Sequence, residues 1–416
     1  MSTLIVIPSY WTKTAPVESR SVNQRSFDQQ FGHIGSSLEK ALTSLNILKE
    51  KDFQVLVVTG TDSPESQEQI NQMVAAIVRK AADKTGIKIL LFPNTLVARV
   101  QEIFRDFCDQ DALDFLCVDG YANIRNTGLI VAQVLGAEEV VFIDNDEYVD
   151  DPLFLHKAME HLGKTIEGRI VAGVGGYYVD PQKAYCRTIK PEPWKAFWDL
   201  ERLLNETICQ LVETQPRIKL TPLVLGGCLV LTRPLFAAIP FDVRITRGED
   251  IDYVINARMF RLSLFFDNQL YIVHDPPPPP YPPWKKFQQD IYRFIHERAK
   301  IGQQTLMEGM DHVSVEELMP YPGSFLGEDL MDKVSGACAV LARQAYWEES
   351  ARRFLDNILL MKTDAAPPYN VFNYYLDLQK KWEKMCRTIN TTKELREECV
   401  ALLSGFPLDE GGRWNT

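Results

Sequence analysis

The chain has 416 residues, of which 45% are hydrophobic, 10% aromatic and 24% charged. This is the composition of an ordinary globular protein, and the length suggests one large domain with an appended region. The net charge of -11 at pH 7 excludes a general nucleic-acid binder, because neutralising a phosphate backbone requires a basic surface. We therefore expect a folded protein without a nucleic-acid partner.

The cysteines and the N-terminus bear on the cellular compartment. None of the eight cysteines forms a Cys-x-x-Cys pair, and most lie in apolar stretches. We expect buried free thiols in a reducing compartment rather than a zinc site or a disulfide framework. Residues 1–8 lack the features of a signal peptide, and no apolar stretch reaches membrane-spanning length. The sequence thus predicts a cytoplasmic protein with no transmembrane segment, in which the sequons at Asn205 and Asn390 are chance matches.

In chain order, the first part of the sequence alternates short β-branched runs with helical periodicity. We predict strands at 4–7, 53–58, 87–92 and 140–143, and helices near 38–48, 67–82 and 126–135. This alternation indicates an α/β fold with a mostly parallel sheet and helices on both faces. Open sheets of this kind bind ligands at the carboxyl ends of their strands. Residues 8–12, 59–62 and 144–146 hold those positions here.

Beyond Ile170 the pattern changes to strand segments with fewer helices. We predict strands at 170–178, 223–231 and 264–273, and a helix at 194–213. The proline-rich run 276–283 fits neither a helix nor a central strand, so we interpret it as a stiff connector. A docking site for a proline-reading partner is the alternative. Residues 284–416 then form a helical C-terminal region, behind a main domain at 1–275.

Two carboxylates follow the apolar strand at 140–143, in the sequence Asp144-Asn145-Asp146. In an extended backbone, residues i and i+2 face the same way, so both carboxylates can bind one hard cation such as Mg²⁺ or Mn²⁺. A buried strand that ends in unpaired acids is also costly unless a cation compensates them. The alternative is an acidic turn or a helix cap, which Asp and Asn also favour.

Three further motifs lie downstream. Gly226-Gly227 leads into an apolar strand, and Arg247-Gly248-Glu249-Asp250-Ile251-Asp252 leads into a helix. Acids in the first turn of a helix are favoured by its dipole, so capping alone would explain them. His274 ends another apolar strand, a position that a core histidine also commonly occupies.

In order and spacing, these motifs resemble those of the GT-A fold glycosyltransferases, most closely the family 2 group. The counterparts are Ile7-Pro8-Ser9-Tyr10, the helix from Leu38 to Leu45, Arg125-Asn126, Asp144-Asn145-Asp146, Gly226-Gly227, Glu249-Asp250-Ile251-Asp252 and His274. The resemblance covers the main domain, 1–275, and implies that it is a catalytic domain of GT-A type. Thr59 occupies the place of the family's base-contacting aspartate, with Asp62 after it, and the segment 11–35 is longer than the usual turn.

The resemblance implies metal-dependent transfer of a sugar from a nucleotide-diphosphate sugar to an acceptor hydroxyl, in the class of hexosyltransferases. The implied metal residues for Mn²⁺ or Mg²⁺ are Asp146, which would bind directly, Asp144, which would reach the ribose or a metal-bound water, and His274, which would complete the coordination or contact the diphosphate. The implied nucleotide-sugar residues are Pro8, Ser9, Tyr10, Asp62, Arg125, Asn126, Asp144, Asn145 and Gly227. By position, Arg247, Lys285 or Lys286 would add positive charge over the diphosphate.

In inverting members of the family, the aspartate of the Glu-Asp motif deprotonates the acceptor. The resemblance therefore implies Asp250 as the catalytic base, with Glu249 or Asp252 orienting it, and favours inversion. A retaining transferase of the glycosylglycerate-synthase type is the alternative within the fold.

Other functions fit the sequence less well. A sugar-phosphate nucleotidyltransferase needs a Gly-rich, Arg-containing loop after the first strand, and a dinucleotide-dependent oxidoreductase needs a Gly-x-Gly-x-x-Gly there; the chain has neither. A non-catalytic sugar- or nucleotide-binding protein is disfavoured because every expected carboxylate is present. The acceptor could be a sugar, a glycerate-like molecule or a lipid-linked group. The C-terminal helices and the segment 11–35 are its expected contact regions, although the helices could equally form a homo-oligomer interface or touch a membrane surface.

Overall fold

The structure, a computed structural model, describes residues 3–11, 24–276, 282–345, 348–363 and 367–404. The strands are β1 (Thr3–Trp11), β2 (Phe53–Thr61), β3 (Ile89–Phe92), β4 (Glu139–Phe142), β5 (Glu147–Tyr148), β6 (Thr165–Ile166), β7 (Arg169–Val179), β8 (Ile218–Leu220), β9 (Leu229–Thr232) and β10 (Ser263–His274). The helices are α1 (Gln24–Ser44), α2 (Gln67–Thr85), α3 (Leu96–Arg105), α4 (Tyr121–Leu135), α5 (Phe154–Met159), α6 (Leu200–Glu213), α7 (Arg233–Ala238), α8 (Glu249–Met259), α9 (Pro283–Gly302), α10 (Leu330–Gln344), α11 (Glu348–Thr363), α12 (Val371–Thr391) and α13 (Lys393–Ser404). Residues 277–281 of the proline run and residues 12–23 of the segment 11–35 lie outside the described residues, so the interpretations of both segments stay predictions.

One large sheet organises the molecule, with the strand order β3-β2-β1-β4-β9-β7-β10-β5. The strands β3, β2, β1 and β4 are mutually parallel. β9 runs antiparallel to both of its neighbours, β4 and β7, so β7 and β10 again point the same way as β4. The predicted α/β fold, a mostly parallel sheet flanked by helices and followed by a helical region, is confirmed.

Strand β1 shows why its sequence forms a central strand. Leu4 and Val6 pack into the apolar layer that includes α4, whereas Ile5 and Ile7 pack into the layer on the opposite face with α1 and α2. A parallel strand covered on both faces requires such an unbroken apolar run. The same requirement explains the apolar residues of β4.

Two predicted elements differ from the structure. The strand predicted at 223–231 is limited to β9, because Cys228 N–H donates to Leu225 O and closes a tight turn at Gly226-Gly227. The helix predicted at 194–213 begins only at Leu200, since residues 193–196 form a separate 3₁₀ turn. In both cases apolar side chains are buried in irregular backbone, which periodicity does not distinguish from a regular element.

The C-terminal helices α12 and α13 pack into the same apolar layer as β1 and β4. Trp382 of α12 is fully buried and contacts the ring of Phe115 at 5.1 Å between centroids. Its indole N–H donates to Phe236 O at 2.9 Å. The layer beneath α4 is therefore completed by residues more than 200 positions away in the sequence.

We expect Trp382→Ala to lower the free energy of unfolding by about 3–5 kcal/mol, because it opens a cavity and leaves Phe236 O without its donor. Urea unfolding monitored by circular dichroism measures this change. The control is Tyr292→Ala on α9, which removes a half-exposed ring and should cost less than about 1 kcal/mol. Equal losses of unfolding free energy in the two variants would contradict the packing of α12 into the same apolar layer as β1 and β4.

The expectation of free thiols is wrong for one pair of cysteines. Cys186, in the loop after β7, forms a disulfide with Cys209 of α6, with the two Cα atoms 6.1 Å apart. Their spacing of 23 residues gave no sign that α6 folds back onto this loop. The other six cysteines are free: Cys108, Cys117, Cys228, Cys338, Cys386 and Cys399.

Within the described ranges, no helix combines the length and the apolar character that crossing a bilayer requires. The cytoplasmic location stays a prediction.

Candidate active site

The topology brings the singled-out motifs to one edge of the sheet. The parallel strands β1, β2, β4, β7 and β10 all end there, and the antiparallel β9 begins there. Asp144-Asn145-Asp146 follows β4, Gly226-Gly227 precedes β9, and His274 is the last residue of β10. This edge is the site that the carboxyl-end rule predicts.

Asp146, His274 and Glu147 form a cluster with the geometry of a metal site. One ligand atom from each of the three lies within 4.8 Å of the others, and His274 Nε2 is 3.5 Å from Asp146 Oδ2. Antiparallel pairing of β5 with β10 places Glu147 directly opposite His274. The sequence predicted Asp146 and His274, whereas Glu147 was missed although it continues the acidic motif.

Glu147, the third member of this cluster, is buried, with 1% of its surface exposed. Its Oε2 accepts the N–H of Asp144 at 2.9 Å, whereas its Oε1 is buried and has no hydrogen-bond partner among the described residues. Burial raises the pKa of Glu147 well above its usual range, and the charges of Asp144 and Asp146 raise it further. An uncompensated buried carboxylate oxygen next to two further acids suits a divalent cation.

Arg125 lies in the interior of α4 rather than before a helix, and 3% of it is exposed. Its guanidinium donates to Asp144 Oδ1, Glu249 Oε1 and Gly226 O, at 2.9, 2.9 and 3.0 Å. Burial opposes its charge, but the neighbouring carboxylates outweigh burial and raise the pKa of Arg125. Three of the five N–H donors of its guanidinium thus fix the acids and the glycine loop of the site, and the expected contact of Arg125 with the donor stays a prediction.

Asp250 lies in the first turn of α8 and faces the same centre. Its Oδ2 accepts the N–H of Gly226 at 2.7 Å, and its Oδ1 accepts the N–H of Ile251 at 2.9 Å. Burial, followed by the negative charge of Glu249, raises the pKa of Asp250 to about 6. A carboxylate that titrates close to neutral pH suits a general base.

Of the two acids expected to orient Asp250, Glu249 lies in the site and Asp252 does not. Glu249 is fixed by Arg125 through the 2.9 Å ion pair. Asp252 is fully buried on the opposite side of α8, where both of its oxygens accept from Lys300 of α9 at 2.8 Å. Asp252 therefore ties α8 to α9.

The Gly226-Gly227 loop joins the metal cluster to Asp250. A Cβ atom at position 226 would overlap the guanidinium of Arg125, and one at position 227 would overlap the carboxylate of Glu147. Gly227 N–H donates to the hydroxyl of Tyr178 at 2.9 Å, and the ring of Tyr178 contacts that of His274. Only residues without a side chain fit between these groups.

The end of β1 carries the predicted residues of the nucleotide side. Tyr10 donates its hydroxyl proton to Asp119 Oδ1 at 2.8 Å, and burial together with this bond raises the pKa of Tyr10. Asp62, exposed at the end of β2, adds its charge nearby. Asp119, in the loop before α4, was not predicted, because its proximity to Tyr10 depends on a contact across 109 positions.

Three further predicted residues, Pro8, Ser9 and Asn145, lie at or beside the carboxyl end of β1. Ser9 is buried and accepts hydrogen bonds from Trp11 Nε1 and, at 3.3 Å, from Asn145 Nδ2. Pro8 is buried in β1 beside Val58 of β2. Asn145 thus connects the acidic loop to β1.

Two further predicted residues form contacts with neighbouring segments of the chain. Asn126 is fully buried, and its amide exchanges two hydrogen bonds with the backbone of Phe241. Arg247 lies before α8 and forms an ion pair with Asp290 of α9.

No protein-family model matches the chain, and no curated protein matches it significantly. The solved structures that resemble it include a mannosyltransferase from Pyrobaculum calidifontis in complex with GDP-Man and Mn²⁺, with 15% identity and a TM-score of 0.45 over 93% of this chain and 86% of that one. TarS from S. aureus has 12% identity and a TM-score of 0.45, over 99% and 95%. Glucosyl-3-phosphoglycerate synthase from Mycobacterium tuberculosis in complex with Mn²⁺ and UDP-Glc has 15% identity and a TM-score of 0.34, over 71% and 76%.

Proposed function

We propose that the protein transfers a sugar from a nucleotide-diphosphate sugar to an acceptor hydroxyl, with a divalent metal ion and with inversion. The proposal rests on one observation: a candidate metal-binding cluster and a candidate base lie next to each other at one edge of the sheet. A carboxylate-histidine cluster with metal-ligand geometry is connected, through the Gly226-Gly227 loop, to a carboxylate of raised pKa. Sugar transfer of this kind needs both features, a cation for the leaving diphosphate and a base for the acceptor.

The residues present fit a Mn²⁺ or Mg²⁺ ion. Asp146, Glu147 and His274 would hold it, and Asp144 would reach the ribose or a water at its edge. When bound, the ion supplies positive charge to the diphosphate that leaves. Five carboxylates surround this centre, Asp144, Asp146, Glu147, Glu249 and Asp250, and the guanidinium of Arg125 pairs with two of them, Asp144 and Glu249. This acidic excess supports the cation, because like charges at short range are costly without one.

Asp250 is the proposed base. Its two backbone hydrogen bonds fix the carboxylate, and its raised pKa gives it the basicity to take a proton from a hydroxyl near neutral pH. Glu249 and Arg125 position it by fixing the first turn of α8. A base on the acceptor side of the centre is what inversion requires, and this favours inversion over the retaining alternative.

Tyr10, Asp62 and Asp119 are the proposed contacts of the nucleoside. The ring of Tyr10 offers a stacking surface, and the carboxylate of Asp119 accepts hydrogen bonds, as a base N–H would require. Thr59, which replaces the family's base-contacting aspartate, is buried and cannot play that part. Asp119 fills the role from another loop.

A nucleotide-release assay tests the proposal. The purified chain is incubated with a panel of UDP-, GDP- and dTDP-sugars and Mn²⁺, and release of the nucleoside diphosphate is measured. We expect slow metal-dependent hydrolysis of one donor class, and its loss on chelation by EDTA. A non-catalytic binding protein would bind a donor without releasing the diphosphate, and that result would contradict the proposal.

We expect donor turnover to fall as the pH drops below about 6. Only the deprotonated form of Asp250 accepts a proton, and its raised pKa of about 6 sets where that form is lost on acidification. The pH dependence of initial rates at saturating donor and metal measures this. Asp83→Asn, at an exposed site on α2, should keep the wild-type profile. A wild-type rate that stays constant from pH 7.5 to 5 would contradict Asp250 as the base.

A further inference from the structure

Tyr178 lies at the end of β7, between the metal cluster and the loop that binds the proposed base. Parallel pairing of β7 with β10 sets Tyr178 beside Ile272, and His274 is two residues further along β10. Because residues i and i+2 of a strand face the same side of a sheet, the side chains of Tyr178 and His274 share one face. Their ring centroids are 4.6 Å apart, with an angle of 45° between the planes. The ring of Tyr178 thus lies against a candidate metal ligand.

The hydroxyl of Tyr178 reaches the glycine loop. It accepts the N–H of Gly227 at 2.9 Å, and the N–H of the preceding residue, Gly226, donates to Asp250 Oδ2 at 2.7 Å. Both glycines are buried, so each N–H depends on its acceptor within the protein. One side chain therefore contacts a candidate metal ligand with its ring and the loop that binds the proposed base with its hydroxyl.

Packing alone does not require this hydroxyl. The ring of Tyr178 packs against the apolar layer that contains Ile272, whereas the adjacent Tyr177 faces the other side of the sheet, with its ring 6.1 Å from that of Phe266. A phenylalanine would supply the same apolar contacts at position 178. Burial, and then the charge of Glu147, raise the pKa of Tyr178 well above its usual range, so the hydroxyl is neutral at neutral pH. It provides a hydrogen bond without adding negative charge to the acids of the centre.

We propose that Tyr178 is a positioning residue of this centre, which orients His274 through its ring and fixes the Gly226-Gly227 loop, and with it Asp250, through its hydroxyl. This inference rests on the proposed function, because it assumes a metal at His274 and a base at Asp250. An imidazole binds a metal through one nitrogen, so a neighbouring ring that restricts its rotation favours metal binding. A loop fixed at Gly227 presents its other N–H to Asp250 in one geometry.

Two substitutions separate the ring from the hydroxyl. Tyr178→Phe removes only the hydroxyl, and we expect nucleoside diphosphate release to slow about tenfold or more, while Mn²⁺ and donor affinities stay within about twofold. Tyr178→Leu also removes the ring, and Mn²⁺ affinity should then fall about tenfold or more. Release rates at saturating Mn²⁺ and donor, and Mn²⁺ binding followed by electron paramagnetic resonance, measure these changes on the full chain.

Tyr177→Phe is the matched control, because it removes a hydroxyl from the adjacent residue of the same strand, on the other side of the sheet. It should leave the release rate and the Mn²⁺ affinity within about twofold. Urea unfolding checks that each variant is folded. If Tyr178→Leu does not fold, Tyr178→Met takes its place, because the flexible side chain of methionine fills irregular space in a core.

Three results would overturn the inference. An unchanged release rate in Tyr178→Phe would show that the loop does not need the hydroxyl, and unchanged Mn²⁺ affinity in Tyr178→Leu would show that His274 does not need the ring. A loss of Mn²⁺ affinity in Tyr178→Phe as large as that in Tyr178→Leu would assign Tyr178 a purely structural role. Metal-dependent nucleotide release by the wild type, measured first, tests the proposed function. Its absence would remove both proposals, whereas a failure confined to the variants would remove only the role of Tyr178.

Discussion

Replacing Asp146 by alanine is expected to abolish sugar transfer and to remove the metal-dependent part of nucleotide binding. Asp146 supplies the carboxylate closest to His274, and without it the cluster loses one of its three ligand groups. A site with two remaining ligands, one of them deeply buried, should no longer hold a divalent ion beside a diphosphate. The substitution does not remove the proposed nucleoside contacts at Tyr10 and Asp119, so weak metal-independent nucleotide binding should remain.

Donor turnover and nucleotide affinity, each measured with Mn²⁺ and with EDTA, check this expectation. Asp150→Ala is the control, because Asp150 is an exposed acid near the same loop that pairs with Lys183. It should leave both quantities within about twofold. Full activity of Asp146→Ala, or wild-type activity indifferent to EDTA, would remove the metal from the mechanism.

Replacing Asp250 by asparagine is expected to lower turnover about 100- to 10,000-fold while donor affinity stays nearly unchanged. The amide has almost the volume of the carboxylate but cannot take the acceptor's proton. Single-turnover rates and donor affinity, measured on the same preparation, separate the two effects. A collapse of donor binding would show that Asp250 has a structural role and that the base lies elsewhere.

Asp250→Asn is also expected to lower the free energy of unfolding, and this effect has to be distinguished from the loss of turnover. Both oxygens of Asp250 accept backbone N–H groups, from Gly226 and Ile251, whereas asparagine has one accepting oxygen. One backbone donor is left unsatisfied, at a cost of about 1–3 kcal/mol in the free energy of unfolding. Urea unfolding of the variant therefore accompanies the kinetics, and a folded variant at the assay temperature is the condition for interpreting them.

Most residues of the candidate site carry signals that are local in the sequence. Asp144 and Asp146 follow an apolar strand, and Asp250 begins a helix, so a short window contains both the element and the group that it presents. Because the carboxyl ends of parallel strands lie at one edge of the sheet, a prediction of a parallel sheet also predicts that these groups lie close together. Glu147 also lies within such a window, as the residue that continues the acidic motif, whereas its pairing opposite His274 appears only in the folded sheet.

The residues that the sequence did not predict depend on contacts between distant segments. Asp119 meets Tyr10 only because α4 starts beside β1, and Cys186 meets Cys209 only because α6 folds back. The sequence motif gives the charge of Arg125, on which its expected contact with the nucleotide-sugar donor is based, but it does not give the hydrogen-bond partners of Arg125 within the protein. Its three hydrogen bonds go to residues 144, 226 and 249, which become neighbours only in the folded sheet.

The Gly226-Gly227 loop has a consequence for how the centre responds to change. Its main chain binds Asp250 at one glycine and lies against Glu147 at the next, so one short backbone segment contacts both the carboxylate cluster and the proposed base. We therefore expect metal affinity and proton affinity at this centre to be linked. Exchanging Mn²⁺ for the smaller Mg²⁺ should accordingly shift the acidic limb of the pH profile of turnover. The identity of the ion would then affect the pKa of Asp250.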